Sequence, residues 1–176
     1  NQVVARHLLD KKLPFIHRIH ESPDEKKIAA FQEFVAGFGL RLNSPSNVSS
    51  TDLQSILKRV RGRPEERVVN TLLLRTMKKA QYSEKDPGHF CLGFKHYTHF
   101  TSPIRRYPDL VTHRLLKESL NHKLSAHEKK ILAKEMKETA EQSTLKEEKA
   151  VKVEREITDL RRTQFMSDKI GKSFTG

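Results

Sequence analysis

The chain has 176 residues, a length sufficient for one compact domain with a core of its own. Its 35% hydrophobic content excludes a disordered tail, its single cysteine excludes an internal disulfide, and no apolar run is long enough to span a membrane. The formal net charge is +12, and most of it lies in residues 1–125, which hold 22 Lys and Arg against 12 Asp and Glu. Such a basic charge is typical either of a protein that binds nucleic acid or of one whose charge only keeps it soluble.

The N-terminal part of the sequence predicts two helices on either side of a short strand. Residues 2–11 have helical periodicity, and residues 15–19 are typical of a strand. A second helix is expected to begin with Ser22 as its N-cap and Pro23 in its first turn, and to end at Gly39. Its predicted inner face consists of Ile28, Phe31, Val35 and Phe38.

Two further helices and a strand are predicted next. Residues 43–50 form a polar loop, after which Thr51 is expected to cap a helix that ends near Val60. The inner face of the following helix is predicted within residues 69–80. The alternation of Phe90, Leu92 and Phe94 with smaller or polar residues predicts a half-buried strand that contains a buried Cys91.

The C-terminal part is predicted to be helical. A helix opens at Pro108 and runs to about Asn121, and residues 126–170 contain neither Gly nor Pro. Apolar residues there recur at helical spacing, while Glu and Lys alternate on the other face, which predicts one long amphipathic helix. The predicted fold class is therefore mainly α with a minor β part.

The segment at residues 96–114 carries the clearest chemical signal. A Thr-Ser-Pro turn at 101–103 is followed by the adjacent arginines Arg105 and Arg106. Hydroxyls, turn N–H groups and a planar guanidinium together can bind a phosphate. One arginine is expected to do so, while the other could pair with Asp109. The candidate RNA-binding residues here are Thr101, Ser102, Arg106 and Tyr107.

Other side chains of this segment leave two interpretations open. Tyr97, Phe100 and Tyr107 could stack on bases or belong to the core. His113 and Arg114 are expected to brace the following helix. No zinc site is expected from the histidine pairs, because they lie in strand-like or loop segments without cysteine partners.

Residues 97–109 have the sequence YTHFTSPIRRYPD, which resembles the signature of the ribonuclease R and ribonuclease II catalytic domain. Residues 1–8, 72–80, 88–90 and 153–159 resemble other parts of that domain, and the closing Phe-Thr-Gly resembles the start of an S1-like RNA-binding barrel. The resemblance is closer to ribonuclease R, and it covers nearly the whole chain. It implies that residues 1–170 are the C-terminal part of the catalytic domain and that 171–176 lead into the next domain.

The resemblance implies a cytoplasmic enzyme that processively hydrolyses single-stranded RNA from its 3′ end to nucleoside 5′-monophosphates. Two Mg²⁺ ions act in the family, and the aspartates that hold them lie upstream of the region matched by Asn1, so no metal ligand is expected in this chain. The catalytic residues carried over are Arg105, beside the scissile phosphate, and Glu154, in the terminal helix. The expected partners are single-stranded RNA, the rest of the parent catalytic domain and flanking RNA-binding domains; no membrane is expected. The alternative is a non-catalytic RNA-binding fragment or a degenerate relative.

Overall fold

The computed structural model describes residues 1–42 and 48–174 of the chain. Most of the predicted polar loop at 43–50 lies outside these ranges. Within them the fold is mainly α with a minor β part, as predicted. In chain order the elements are α1 (Gln2–Asp10), β1 (His17–Ile19), α2 (Glu25–Ala36), α3 (Ser50–Val60), α4 (Glu66–Thr76), β2 (Gln81–Ser83), a 3₁₀ turn (Phe90–Leu92), α5 (Tyr107–Asn121) and α6 (Ala126–Ser167).

Helix α2 begins two residues later than the sequence suggests. Its N-cap is Asp24, whose Oδ1 accepts hydrogen bonds from the backbone N–H groups of Lys26 at 3.0 Å and Lys27 at 3.3 Å. The prediction that Ser22 caps the helix was wrong, because Pro23 precedes the cap and the Asp24 carboxylate satisfies the free N–H groups. Gly39, with φ of +72°, follows the helix end as predicted.

Reciprocal capping boxes start α3 and α6. The Ser49 hydroxyl accepts from the N–H of Asp52, and the Asp52 carboxylate accepts from the N–H of Ser49. The predicted cap, Thr51, lies inside the first turn instead, so that prediction was wrong by two residues. Ser125 and Glu128 form the same arrangement at the start of α6. Two backbone donors are thereby satisfied at each helix start.

The sheet consists of β1 and β2 paired antiparallel, with Arg18 opposite Tyr82. The strand predicted at 90–94 was wrong. The alternating aromatic residues there belong to a 3₁₀ turn that ends at Gly93, whose φ is +66°. The chain reverses at Gly93, and His89 and Phe94 form a β-bridge across the turn. Cys91 consequently lies on the surface of this turn and is exposed, contrary to the expectation that it is buried.

Three clusters of buried apolar side chains hold the elements together. The largest joins α2, α3 and α4 and includes Phe31, Ile56 and Val69. A second joins α1 to α5 and to the first turns of α6, and it includes Phe15 and Leu115. The third packs the sheet between α5 and α6, through Ile16, Tyr82, Val111, Met136 and Ala140. This third cluster positions the signature segment against α6.

Helix α6 is the longest element, and its two halves differ in burial. Met136 and Ala140 in the first half are buried, whereas every residue from Ala150 to Ser167 is exposed. Exposed apolar residues recur along the second half, among them Val153, Ile157 and Leu160. Despite its length, neither α6 nor another helix in the described ranges is apolar enough to cross a membrane.

Candidate functional site

The strand-like start of the signature segment is fixed against β1. The backbone N–H of Arg18 donates to the carbonyl of Tyr97 at 2.9 Å, and the buried hydroxyl of Thr98 donates to the carbonyl of Ile16 at 2.7 Å. Thr98 is 1% exposed, so this bond lies in the core. The segment therefore leaves the sheet at a defined position and direction, which sets where the following turn projects.

The turn itself is closed by the buried carboxylate of Asp109. Asp109 is 0% exposed, and its Oδ1 accepts from the backbone N–H of Ser102 at 2.8 Å and from Nη2 of Arg106 at 2.7 Å. The N–H groups of Arg105 and Arg106 both donate to the carbonyl of Ser102. Asp109 thus links the two ends of the turn across the first residues of α5, and Arg106 is the arginine that pairs with it.

Arg105 occupies the tip of this turn. Its side chain is exposed, next to the fully exposed Ile104, and its guanidinium forms no hydrogen bond or ion pair with any residue that the structure describes. Thr101 is likewise exposed, whereas Ser102 is half-buried and uses its N–H on Asp109. Arg106 is therefore the arginine paired with Asp109, and Arg105 is free to contact an anion; that either arginine binds a phosphate stays a prediction.

A cleft of about 680 Å³ separates the turn from α6. One wall carries Arg105, Arg106, Tyr107 and Pro108, and Tyr82 lies between the walls. The other wall is formed by α6 residues, namely Glu138, Thr139, Gln142, Ser143, Lys146, Glu147 and Ala150. An extended chain with a charged backbone could enter such a cleft, because a free guanidinium and Lys146 line it.

Glu154 lies on the continuation of the same helix face. A shallower groove along α6 is lined by Lys146, Ala150 and Glu154, among others, and it shares Lys146 and Ala150 with the cleft. Since residues four apart on a helix are neighbours, Glu154 is one turn, ~6 Å along the axis, beyond Ala150. Glu154 itself is exposed. The two predicted catalytic residues therefore open onto adjoining surfaces, and their catalytic roles stay predictions.

Only one of the three aromatic residues proposed for base stacking presents its ring. Phe100 stacks on His113 at a centroid distance of 3.8 Å, and Nε2 of His113 donates to the Phe100 carbonyl at 2.7 Å, so His113 braces α5 as expected. Tyr97 is half-buried, and its hydroxyl accepts from Asn1 at 2.9 Å. Tyr107 is 57% exposed and lines the cleft. Base stacking is therefore a prediction for Tyr107 alone.

A partly buried polar network behind the turn was not predicted from the sequence. The Tyr82 hydroxyl lies 2.9 Å from Nδ1 of His99, and Nε2 of His99 lies 3.5 Å from Nη1 of Arg106. Arg18 stacks over the Tyr82 ring at 4.6 Å and forms a bidentate ion pair with Glu147 of α6 at 2.6 and 3.1 Å. These residues connect α6 to Arg106, which was itself expected to bind RNA but is engaged by Asp109 and His99.

No group of three or more His, Cys, Asp or Glu side chains in residues 1–42 and 48–174 is arranged to hold a metal ion. Asp86 contacts two histidines, His96 at 2.5 Å and His17 at 3.4 Å. These contacts connect the segment after β2 to β1. The residues that the structure describes therefore do not fit a catalytic metal site.

Two histidines near the site make stability depend on pH. Burial lowers the pKa of His99 to about 4, with the Arg106 guanidinium adding to the effect, and burial beside His20 lowers the pKa of His89 to about 4. An unfolded histidine titrates near ~6.5, so between these values the unfolded chain binds more protons. The stability that these two histidines contribute is therefore fully present above pH ~6.5 and is lost as the pH falls towards ~4.

We expect the midpoint of urea denaturation of the chain, followed by circular dichroism, to be lower at about pH 5 than at about pH 7.5. In His99→Gln, whose side chain does not titrate, this difference should shrink. A midpoint that stays constant or rises on acidification would contradict the prediction, as would a His99→Gln variant with undiminished pH dependence.

Comparison with known proteins identifies the fold. The family model of the RNB domain matches residues 1–122. Ribonuclease R 1 of Lactococcus lactis subsp. lactis (strain IL1403) is 42% identical over 177 residues, which cover 100% of this chain and 22% of that relative. The chain thus spans about a fifth of that relative's length.

Solved structures of related proteins also match this chain. RNase R of Mycoplasma genitalium in complex with ribose-methylated single-stranded RNA matches 98% of this chain and 27% of its own, at 35% identity and a TM-score of 0.89. Yeast Ssd1, a pseudonuclease, matches 82% of this chain and 19% of its own, at 27% identity and a TM-score of 0.62. With the family model covering most of the chain and the fold shared with ribonuclease R, the chain belongs to the RNB-domain family.

Proposed function

We propose that this chain is part of a cytoplasmic 3′→5′ exoribonuclease that processively hydrolyses single-stranded RNA to nucleoside 5′-monophosphates. The observation that carries the proposal is Arg105, an exposed arginine at the tip of a braced turn, facing a cleft along α6. Similarity to RNase R, whose Mycoplasma genitalium form is solved with single-stranded RNA, supports the substrate class. Arg105 would bind the scissile phosphate, and Thr101, Ser102 and Tyr107 would hold the adjoining nucleotides.

The chemical role of Arg105 follows from its position. Attack on a phosphodiester places additional negative charge on the non-bridging oxygens, and a guanidinium held in advance stabilises that charge better than mobile water does. The planar fork also fixes the phosphate by two parallel hydrogen bonds. Glu154 would contribute a carboxylate along the same surface, where it can accept a hydrogen bond from a ribose hydroxyl or an attacking water.

The metal ions are proposed to bind outside this chain. We infer that the parent enzyme would take two Mg²⁺ ions, which would supply Lewis-acid chemistry to the hydrolysis. Aspartates in the upstream part of the catalytic domain would hold them, since the described residues do not fit such a site. This chain would then contribute phosphate binding and orientation to a site that its upstream neighbour completes.

The parent protein and the isolated chain should differ in activity. We expect the parent, with Mg²⁺ and 5′-labelled single-stranded RNA, to shorten the RNA progressively from its 3′ end, while residues 1–176 alone release no nucleotide. Thin-layer chromatography of 3′-labelled substrate checks that the product is a nucleoside 5′-monophosphate. Nucleotide release by purified residues 1–176 would contradict the assignment of the metal ligands, and an inactive parent would contradict the enzymatic function.

A second function is favoured by one comparison: yeast Ssd1 shares the fold and is a pseudonuclease. In that case the chain would bind RNA without cutting it. Under either function we expect RNA affinity to fall with salt, with a log–log slope of roughly −0.7 for each phosphate neutralised on a single strand. Fluorescence-anisotropy titrations at several salt concentrations check this, and affinity that is indifferent to salt would contradict it.

A further inference from the structure

A chain of contacts through Thr144, Tyr82, His99 and Arg106 connects α6 to the turn that carries Arg105. Tyr82 of β2 is held by α6, because its backbone N–H donates to the Thr144 hydroxyl at 3.0 Å and that hydroxyl donates back to the Tyr82 carbonyl at 3.4 Å. On its other side the Arg18 guanidinium covers the ring at 4.6 Å. Thr144 and Arg18 therefore fix the position of Tyr82, whose hydroxyl contacts His99.

The protonation of His99 follows from its two partners. An arginine guanidinium only donates hydrogen bonds, so Nε2 of His99, 3.5 Å from Nη1 of Arg106, must be the unprotonated nitrogen. The ring proton of neutral His99 then resides on Nδ1 and is donated to the Tyr82 hydroxyl at 2.9 Å. Burial and the nearby Arg106 lower the pKa of His99 to about 4, which keeps the ring neutral at physiological pH.

Arg106 in turn determines the shape of the turn. Its side chain is 20% exposed and contacts His99 through Nη1 and Asp109 through Nη2, while the same Asp109 oxygen accepts the N–H of Ser102. A guanidinium held at two nitrogens keeps the carboxylate in place for Ser102. The turn between Ser102 and Arg106 is the one that presents Arg105.

We propose that His99 is a positioning residue: its ring, oriented by Tyr82, holds Arg106 and through Asp109 the turn that presents Arg105 to the scissile phosphate. This rests on the proposed function of Arg105. His99 touches no substrate in this scheme. The contacts of Tyr82 with α6 also make it the point at which the helix that carries Glu154 is coupled to the turn that carries Arg105.

Three substitutions separate the two halves of this role. In His99→Gln, the amide oxygen can accept from Arg106, but the bond to Tyr82 is lost. In His99→Asn, a short amide can still donate to Tyr82, but it does not reach Arg106. His99→Phe keeps the ring volume and loses both bonds. His127→Gln, at an exposed position of α6, is the control.

In the full-length parent we expect His99→Phe and His99→Asn to slow single-turnover cleavage about tenfold, with RNA affinity within about twofold, while His99→Gln stays within about threefold of the unmodified enzyme. Tyr82→Phe should slow the unmodified enzyme, because the tautomer of His99 is no longer fixed, but should add nothing in the His99→Gln background. Equal slowing by Gln and Phe, or a Tyr82→Phe effect of the same size in both backgrounds, would overturn the proposal.

Hydrogen exchange of the parent, followed by mass spectrometry without RNA, tests the same idea independently of catalysis. Peptides covering residues 100–107 should exchange faster in His99→Phe than in His99→Gln, because the bond from the Ser102 N–H to Asp109 opens more often. Unchanged exchange in His99→Phe would overturn the proposal. If the parent proves to have no nuclease activity, the proposed function fails, and the exchange rates alone decide whether His99 orders the turn.

Discussion

Replacing Arg105 with Ala in the parent enzyme is expected to lower the rate of single-turnover cleavage by ~10²–10³, the usual cost of removing one preorganised donor from a transition state. Arg105 is free of partners among the residues described, so its removal leaves no buried group unsatisfied and the fold should be unaffected. RNA affinity should fall much less than the rate, because the additional charge on the phosphate oxygens exists only during reaction. Single-turnover assays and equilibrium binding, measured separately, distinguish the two effects.

Two further variants sharpen this test. Arg105→Lys should recover only part of the rate, because an ammonium supplies charge without the planar fork. Arg75→Ala, which removes an exposed arginine from α4, changes the net charge equally and should leave cleavage within about twofold. If Arg105→Ala lowers rate and affinity in equal proportion, Arg105 only positions RNA, and the catalytic role must be sought at Arg106.

Replacing Asp109 with Ala is expected to cost about 3–5 kcal/mol of unfolding free energy, as is typical when one partner of a buried ion pair is removed. The variant leaves the Arg106 guanidinium without its counter-charge and the Ser102 N–H without its acceptor. Asp109→Asn should cost less, because its amide oxygen can still accept from Ser102. Urea denaturation of the chain with a circular-dichroism readout measures both.

The control for this prediction is an exposed pair. Lys152 and Glu156 approach to 3.8 Å on the solvent face of α6, with side chains 78% and 64% exposed, so Glu156→Ala should change stability by less than about 0.5 kcal/mol. The double variant Arg106→Met, Asp109→Leu should recover part of the loss, since both charges are then removed together. Asp109→Ala as stable as Glu156→Ala would mean that the buried carboxylate does not hold the turn.

The sequence predicted the helices well because each is long enough to show a period. The face of α2, for instance, repeats at helical spacing over twelve residues. The sequence predicted elements wrongly where their formation depends on contacts distant in sequence, or where two local patterns favour different structures. Strand β2 has three residues, too few to display alternation, and it forms because Arg18 of β1 lies opposite Tyr82. The aromatic alternation after Gly88 is real, but the left-handed Gly93 turns it into a 3₁₀ turn.

In the candidate site, too, residues within one motif were predicted, and residues that depend on distant contacts were not. Arg105 and its pairing alternative, Asp109, were visible because they lie four residues apart in one motif. The sequence could not decide which arginine is free, since that depends on His99, whose ring contacts Arg106 only when Tyr82 is brought alongside from seventeen residues away. Glu147, which holds Arg18 from 129 residues away, carries no local signal at all in a helix rich in Glu and Lys.

The unbroken length of α6 has a mechanical consequence. Its buried residues, Met136 and Ala140, lie in the first half, and the ion pair of Glu147 with Arg18 is a further anchor, so the part beyond Glu147 is a rod fixed at one end. Glu154 lies ~11 Å beyond Glu147 at 1.5 Å per residue, so each degree of tilt at Glu147 moves Glu154 by ~0.2 Å. Loss of the Glu147 carboxylate, two helical turns before Glu154, would therefore displace Glu154 by leverage.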